Sequence, residues 1–249
     1  MGLHLGAPAE LEEAGGAIRV TGAGGSFEAD AVLAAVGRRP NIDGLGLETL
    51  GVSLDDNGMP QIDPGTLRIG DLPVFLIGDA NGYRPLLHEA ADEGHIAGRM
   101  AAPDAADTGL CRRTALSIVF SAPQVARVGP PLSDLGETDI VSGSADFSGQ
   151  ARARIAQTAA GVLRIHAERE TGRLLGAEMC VPAAEHLAHL LSLAVEARMT
   201  VADMLVAPFY HPVLEEGLRS ALRDVAKGVA SAGGSDMSDC KAIGHDALD

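Results

Sequence analysis

Gly161-Val-Leu-Arg-Ile-His-Ala-Glu-Arg-Glu-Thr-Gly-Arg-Leu-Leu-Gly-Ala-Glu-Met-Cys-Val181 decides the fold class of the C-terminal part. It reads as two strands around the turn Glu170-Thr171-Gly172. Ala183 to Arg198 then forms an amphipathic helix, with Leu187, Leu190, Leu191, Ala194 and Val195 on one face. Upstream, Leu116-Ser-Ile-Val-Phe120 and Val125-Ala-Arg-Val128 predict short strands. Downstream, Thr200 caps a short helix over 201–206, and Pro212 is expected to open a last helix to about Lys227. Strands precede helices, so residues 113–228 are predicted to be an α+β domain.

The N-terminal part reads differently. Residues 17–21 alternate like a strand, Gly22-Ala-Gly-Gly25 is a turn, and 26–36 resume a strand that ends in the buried run Ala31-Val-Leu-Ala-Ala-Val36. The glycines do not make a dinucleotide loop, because the sixth position of G-x-G-x-x-G is Phe27 and no helix pattern follows. Residues 38–60 are rich in turns. Pro73-Val-Phe-Leu-Ile-Gly-Asp79 is predicted as a short apolar strand, followed by a helix from Leu86 to Ala102 with a small-residue face. Residues 103–112 are the best boundary, and 229–249 are small and polar, expected to be a disordered tail.

Composition excludes several classes of protein. A formal charge of −15 disfavours nucleic acid. No apolar run is long enough to cross a bilayer, and the start lacks the pattern of a signal peptide. Cys111, Cys180 and Cys240 are odd in number and far apart, so neither a disulfide scaffold nor a cysteine zinc site is expected, and a reducing cytoplasm is the simplest compartment. Cys111 and Cys180 are expected to be buried small hydrophobes. His186 and His189 share one helix face, but only Glu185 joins them, so no metal site is expected. His88 and His95 read as packing or surface residues.

Three segments carry chemistry. Val36-Gly37-Arg38-Arg39-Pro40-Asn41 follows an apolar run. Glycine there lets a ligand approach the backbone, although taken alone the segment is simply a strand end entering a turn. Asp79 ends an apolar strand, where open α/β sheets bind ligands, and Pro85-Leu86-Leu87-His88 begins a helix whose free N–H groups suit developing negative charge. The same residues also describe an ordinary strand-to-helix turn. Finally, His211 precedes Pro212, which keeps it out of the helix and lets it fold back toward Glu216. A carboxylate on one ring nitrogen would make His211 an acid/base group; the plainer alternative is an exposed histidine beside a helix with acidic residues in its first turn.

Order and spacing together resemble the pyridine nucleotide–disulfide oxidoreductases, most closely the dihydrolipoamide dehydrogenases. The matching segments are Val32-Leu-Ala-Ala-Val-Gly-Arg-Arg-Pro-Asn41, the Gly78-Asp79 strand, Leu86-Leu-His-Glu-Ala90 with Glu93-Gly94, Phe120-Ser-Ala-Pro-Gln-Val-Ala-Arg-Val-Gly129, and His211-Pro212 with Glu216. Val213 stands where the family usually has Thr. The family's G-x-G-x-x-G flavin loop, C-x-x-x-x-C redox pair and second Gly-rich NAD loop are absent from these 249 residues, so the chain is expected to be the C-terminal half of a longer enzyme and inactive by itself.

The resemblance implies a division into the end of an NAD-binding domain (1–35), the C-terminal part of an FAD-binding domain (36–112) and a dimerisation domain (113–228). It implies FAD and NAD as cofactors. Gly37 would lie near the nicotinamide nucleotide, Asp79 would bind the ribityl chain, and Pro85, Leu86, Leu87 and His88 would bring a helix N-terminus to the flavin. His211 would exchange a proton with a thiol of the partner subunit's redox disulfide, and Glu216 would orient it. A homodimer acting on a small dithiol or a lipoyl domain is the implied assembly. Other readings are a glutathione or mercuric type of reductase, the latter disfavoured by the solitary Cys240, or a non-catalytic dimerisation module.

Overall fold

The computed structural model describes residues 2–102, 111–136 and 139–230. Most of the expected 103–112 boundary, and the tail from 231 onward with Cys240, lie outside the described residues. The chain divides into two compact units, Met1–Ala97 and Gly98–Asp249.

In the first unit, strands β1 (Glu10–Ala14), β2 (Ala17–Gly22) and β3 (Gly25–Ala29) form an antiparallel sheet in sequence order. Gly22 pairs with Gly25, so the glycine cluster is the hairpin turn expected. β1 went unforeseen, since Glu10-Leu-Glu-Glu-Ala14 offers one large apolar residue. The strand expected to run to Val36 stops at Ala29. Leu33 is 92% exposed and Val36 94% exposed, because no described strand gives this run an edge to pair with, and an unpaired apolar run gains nothing from extended geometry.

The apolar strand expected over 73–79 is likewise absent. The segment is held by a bridge between Arg68 and Phe75 and by two backbone bonds, Ile69 N–H to Val74 O at 2.9 Å and Leu76 N–H to Leu67 O at 3.1 Å. Leu67, at φ 64°, interrupts any longer ladder. Leu47, Ile69 and Leu76 form a small core with Ile42, Met59 and Val74 around them. A 3-10 turn over Gly78–Asn81 leads toward helix α1 (Leu87–Met100). Gly78 is required there: its φ is 66°, and a Cβ would stand 3.3 Å from Ala90 Cβ on α1.

The second unit is the α+β domain expected. Strands β4 (Leu116–Val119), β5 (Gln124–Val128), β6 (Ile140–Asp146), β7 (Val162–Glu168) and β8 (Leu174–Val181) form one antiparallel sheet, ordered β4-β5-β8-β7-β6. Helices α2 (Ala151–Ile155), α3 (Ala184–Glu196), α4 (Val201–Leu205) and α5 (Glu215–Ala226) accompany it. Leu163 and Ile165 of β7 pair with Met179 and Ala177 of β8 and point inward. They meet Leu187 and Leu191 of α3 and Leu218 and Leu222 of α5 in one buried core. Full burial of each such side chain is favourable by about 1.5–3 kcal/mol. Thr200 caps α4 as foreseen, in a capping box with Asp203.

Three expectations change here. α5 begins at Glu215, not at Pro212. Cys111 and Cys180 are exposed rather than buried; Cys180 occupies an outward register of β8, between Val125 and Val162. The chain beyond Lys227 is still attached at Ala230, whose N–H donates to Arg169 O at 2.8 Å. Among the described residues, no helix is long and apolar enough to cross a membrane.

His166 is buried on β7, with Ser142 Oγ 2.8 Å from its Nδ1 and no hydrogen bond at Nε2. Burial holds its pKa below the ordinary 6.5, opposed by Glu178 and aided by Arg164. The unfolded chain therefore binds this proton where the folded chain does not. Stability is complete above pH 6.5 and falls as the pH drops from there toward the lowered folded value. Denaturant melts at stepped pH are expected to show this decline. His166→Gln should flatten it between pH 7 and 5, and an undiminished slope in that variant would assign it elsewhere.

Candidate active site

The residue before a proline is kept out of helical conformation, so the chain turns at His211 and α5 starts four residues later. The His211–Pro212 bond is cis. Gln150 Nε2 donates to Val213 O at 2.6 Å, while Gln150 Oε1 accepts from Ala153 N–H at 2.6 Å and caps α2. Arg219 lies over the Phe209 ring at 5.6 Å. The turn is thus tied to both α2 and α5.

Glu216, in the first turn of α5, reaches back into it. Its Oε1 is 2.8 Å from His211 Nδ1, and its Oε2 accepts from Val213 N–H at 3.1 Å. The hydrogen bond from His211 is the main reason the carboxyl is held below the usual glutamate range; partial burial opposes it, and Val213 N–H and the charges of His211 and Arg219 assist. An ionised carboxylate can only accept, so Nδ1 donates and Nε2 is the nitrogen left to exchange a proton. The ring is 73% exposed.

The first unit assembles a second cluster. Glu93 of α1, 1% exposed, accepts at Oε2 from Gly78 N–H at 2.6 Å and from Asn81 Nδ2 at 2.7 Å. This fixes the backbone that presents Asp79. Arg38 Nη1 donates to Asp79 Oδ2 at 2.7 Å, and Arg38 Nη2 donates to Pro85 O at 2.7 Å. Gly37 precedes Arg38 at φ 92°, with no atom within 4 Å of a would-be Cβ. Leu87 and His88 are exposed at the start of α1, where the first N–H groups lack intrahelical partners. Of the residues singled out in the sequence, His211 and Glu216 are brought together, and Asp79 and Pro85 are joined through Arg38. No group of three or more potential metal ligands occurs among the described residues.

A family model described as "Pyridine nucleotide-disulphide oxidoreductase" matches residues 3–94, and "Pyridine nucleotide-disulphide oxidoreductase, dimerisation domain" matches residues 116–222. The chain belongs to the pyridine nucleotide-disulphide oxidoreductases. It is 34% identical over 193 residues to dihydrolipoyl dehydrogenase of Bacillus subtilis, covering 77% of this chain and 40% of that one. With the Thermus scotoductus enzyme of the same name it shares 34% over 209 residues, covering 82% and 44%. The crystal structure of LpdA from Mycobacterium tuberculosis superimposes with a TM-score of 0.75 at 29% identity, over 87% of this chain and 48% of that one. Escherichia coli RclA, a HOCl-induced flavoprotein disulfide reductase, shares the fold at 21% identity, with a TM-score of 0.73 over 86% of this chain and 49% of that one. The chain spans less than half the length of these relatives.

The pyridine nucleotide-disulphide oxidoreductases use FAD and a pyridine nucleotide. The parts of this member that sequence reasoning missed are Arg38, Glu93, Asn81 and Gln150 in their contacts. Arg38 and Glu93 stand in matching segments of the sequence, which give neither a contact. Only the burial of a charged residue marks Glu93, and burial is a tertiary property.

Glu93→Ala should leave two buried donors, Gly78 N–H and the Asn81 amide, without this acceptor. Each costs about 1–3 kcal/mol. Thermal unfolding followed by circular dichroism is expected to shift down by several degrees; an unshifted midpoint would show that water replaces the carboxylate.

Proposed function

We propose that the chain is the C-terminal part of an FAD-dependent dihydrolipoamide dehydrogenase, in which His211 is the acid/base group and Glu216 its orienting carboxylate. The observation that carries this reading is the 2.8 Å bond from His211 Nδ1 to Glu216 beside an exposed ring. A histidine held in one tautomer, with its other nitrogen facing outward, can take a proton from a dithiol substrate and return it. Deprotonation makes the thiolate that is the reactive form. Glu216 stabilises the imidazolium formed in that step.

The residues present fit part of a flavin. Asp79 keeps Oδ1 for a sugar hydroxyl while Oδ2 is held by Arg38, and the N-terminus of α1 offers N–H groups beside exposed Leu87 and His88. Pro85 and Leu86 lead into that helix, and Gly37 is the open backbone position assigned to the nicotinamide nucleotide. FAD, when bound, supplies the acceptor that carries the dithiol's electron pair on to NAD. The domain over 113–228 would form the homodimer, and the substrate would be a small dithiol or a lipoyl domain.

The deciding experiment is an assay of the complete enzyme with dihydrolipoamide and NAD, beside glutathione disulfide and NADPH. Dihydrolipoamide-dependent NAD reduction is expected. Preference for glutathione disulfide would overturn the substrate assignment. Light scattering of the chain should give twice its monomer mass, and a monomer at micromolar concentration would remove the dimer from the proposal.

A further inference from the structure

Two arginines stand side by side in the turn after Gly37, and they do different things. Arg39 pairs with Asp43, four residues on, at 2.5 Å. Arg38 instead joins two distant segments with one planar group. Its Nη1 meets Asp79 Oδ2 and its Nη2 meets Pro85 O, both at 2.7 Å, across 41 and 47 residues of sequence. The Arg38 and Asp79 side chains are 66% and 55% exposed, and exposed pairs add little to stability. The value of the arrangement is directional. Glu93 fixes the Gly78–Asn81 backbone from the buried side, and the guanidinium fork then fixes the carboxylate from the open side.

We infer that Arg38 is a positioning residue of the flavin site. It turns Asp79 so that Oδ1 is offered to the ribityl hydroxyls, with the Pro85 carbonyl as the second anchor that fixes the guanidinium plane. The inference rests on the assignment of Asp79 to the ribityl chain. Lysine cannot substitute, because a single ammonium lacks the rigid fork that reaches both acceptors at once.

The test measures binding of three flavins to the apoprotein of the complete enzyme by equilibrium dialysis: FAD, riboflavin, and lumiflavin, which has the ring without the ribityl chain. Arg38→Gln and Arg38→Lys are each expected to weaken FAD and riboflavin about tenfold, the scale of one charge-assisted hydrogen bond. Lumiflavin affinity and the thermal midpoint should stay unchanged. Arg38→Gln combined with Asp79→Asn should bind no more weakly than Asp79→Asn alone. Unaltered riboflavin binding in Arg38→Gln overturns the inference while leaving Asp79 in its role. Loss for FAD but not riboflavin overturns it in favour of direct phosphate contact. Equal loss for lumiflavin overturns it in favour of general disruption. If Asp79→Asn in the complete enzyme binds all three flavins as the unaltered protein does, the assignment of Asp79 fails first, and the role of Arg38 falls with it.

Discussion

Replacing His211 with alanine is expected to lower dihydrolipoamide oxidation by the complete enzyme about 10²–10⁴-fold, the usual contribution of a positioned acid/base group. The side chain carries the one nitrogen of the His–Glu pair that can exchange a proton, since Nδ1 is committed to Glu216. Glu216→Gln should fall between His211→Ala and the unaltered enzyme, because an amide oxygen can still accept from Nδ1 but carries no charge. Steady-state kcat/KM with dihydrolipoamide is the readout, and near-normal turnover by His211→Ala would remove the residue from the mechanism. The pH dependence of the pair has a definite sign. Glu216 is held below its ordinary 4.5, so its stabilising contribution is complete above that pH and is lost as the pH falls through the lowered folded value.

The second large effect is structural and reaches the same site from behind. Gly143 lies inward on β6, opposite Ile165, where helix α5 comes close to the strand. A Cβ there would meet the backbone of Val225, Ala221 and Asp224 on α5, the latter two at 2.8 Å. Backbone cannot swing aside as a side chain can. Overpacking of this kind costs about 1–3 kcal/mol and occasionally more, and here the whole helix must shift. The same strand holds α5 through Ser144 N–H, which donates to Asp224 at 3.0 Å. Gly143→Ala is therefore expected to lower the unfolding midpoint by several degrees and to reduce turnover, since α5 carries Glu216. Gly149→Ala is the control, because a Cβ there has no neighbour within 4 Å. Equal midpoints for the two variants would mean that β6 and α5 are farther apart than described.

These elements are legible in the sequence where their cause is local. His211 and Glu216 are five residues apart, and the proline between them forces the turn that brings them together. The hairpin at Gly22–Gly25, the turn at Glu170–Gly172, the capped helix after Thr200 and the amphipathic face of α3 are set by neighbours in sequence. β6 escaped notice because its inward residues, Val141, Gly143 and Ala145, are mostly small. They are small because a helix lies against them, which no periodicity reports. The run ending at Val36 failed for the opposite reason: its residues are apolar enough for a buried strand, but a strand exists only where another offers hydrogen bonds.

The sequence by itself determined the α+β class of residues 113–228, the family resemblance, and the His–Glu pair, because each follows from residue type and short spacing. Tertiary structure alone decided that Cys180 faces outward, that Glu93 is buried behind the Gly78–Asn81 turn, and that Arg38 grips Asp79 and Pro85. Those contacts join positions up to 47 residues apart, and only the folded path of the backbone sets such distances.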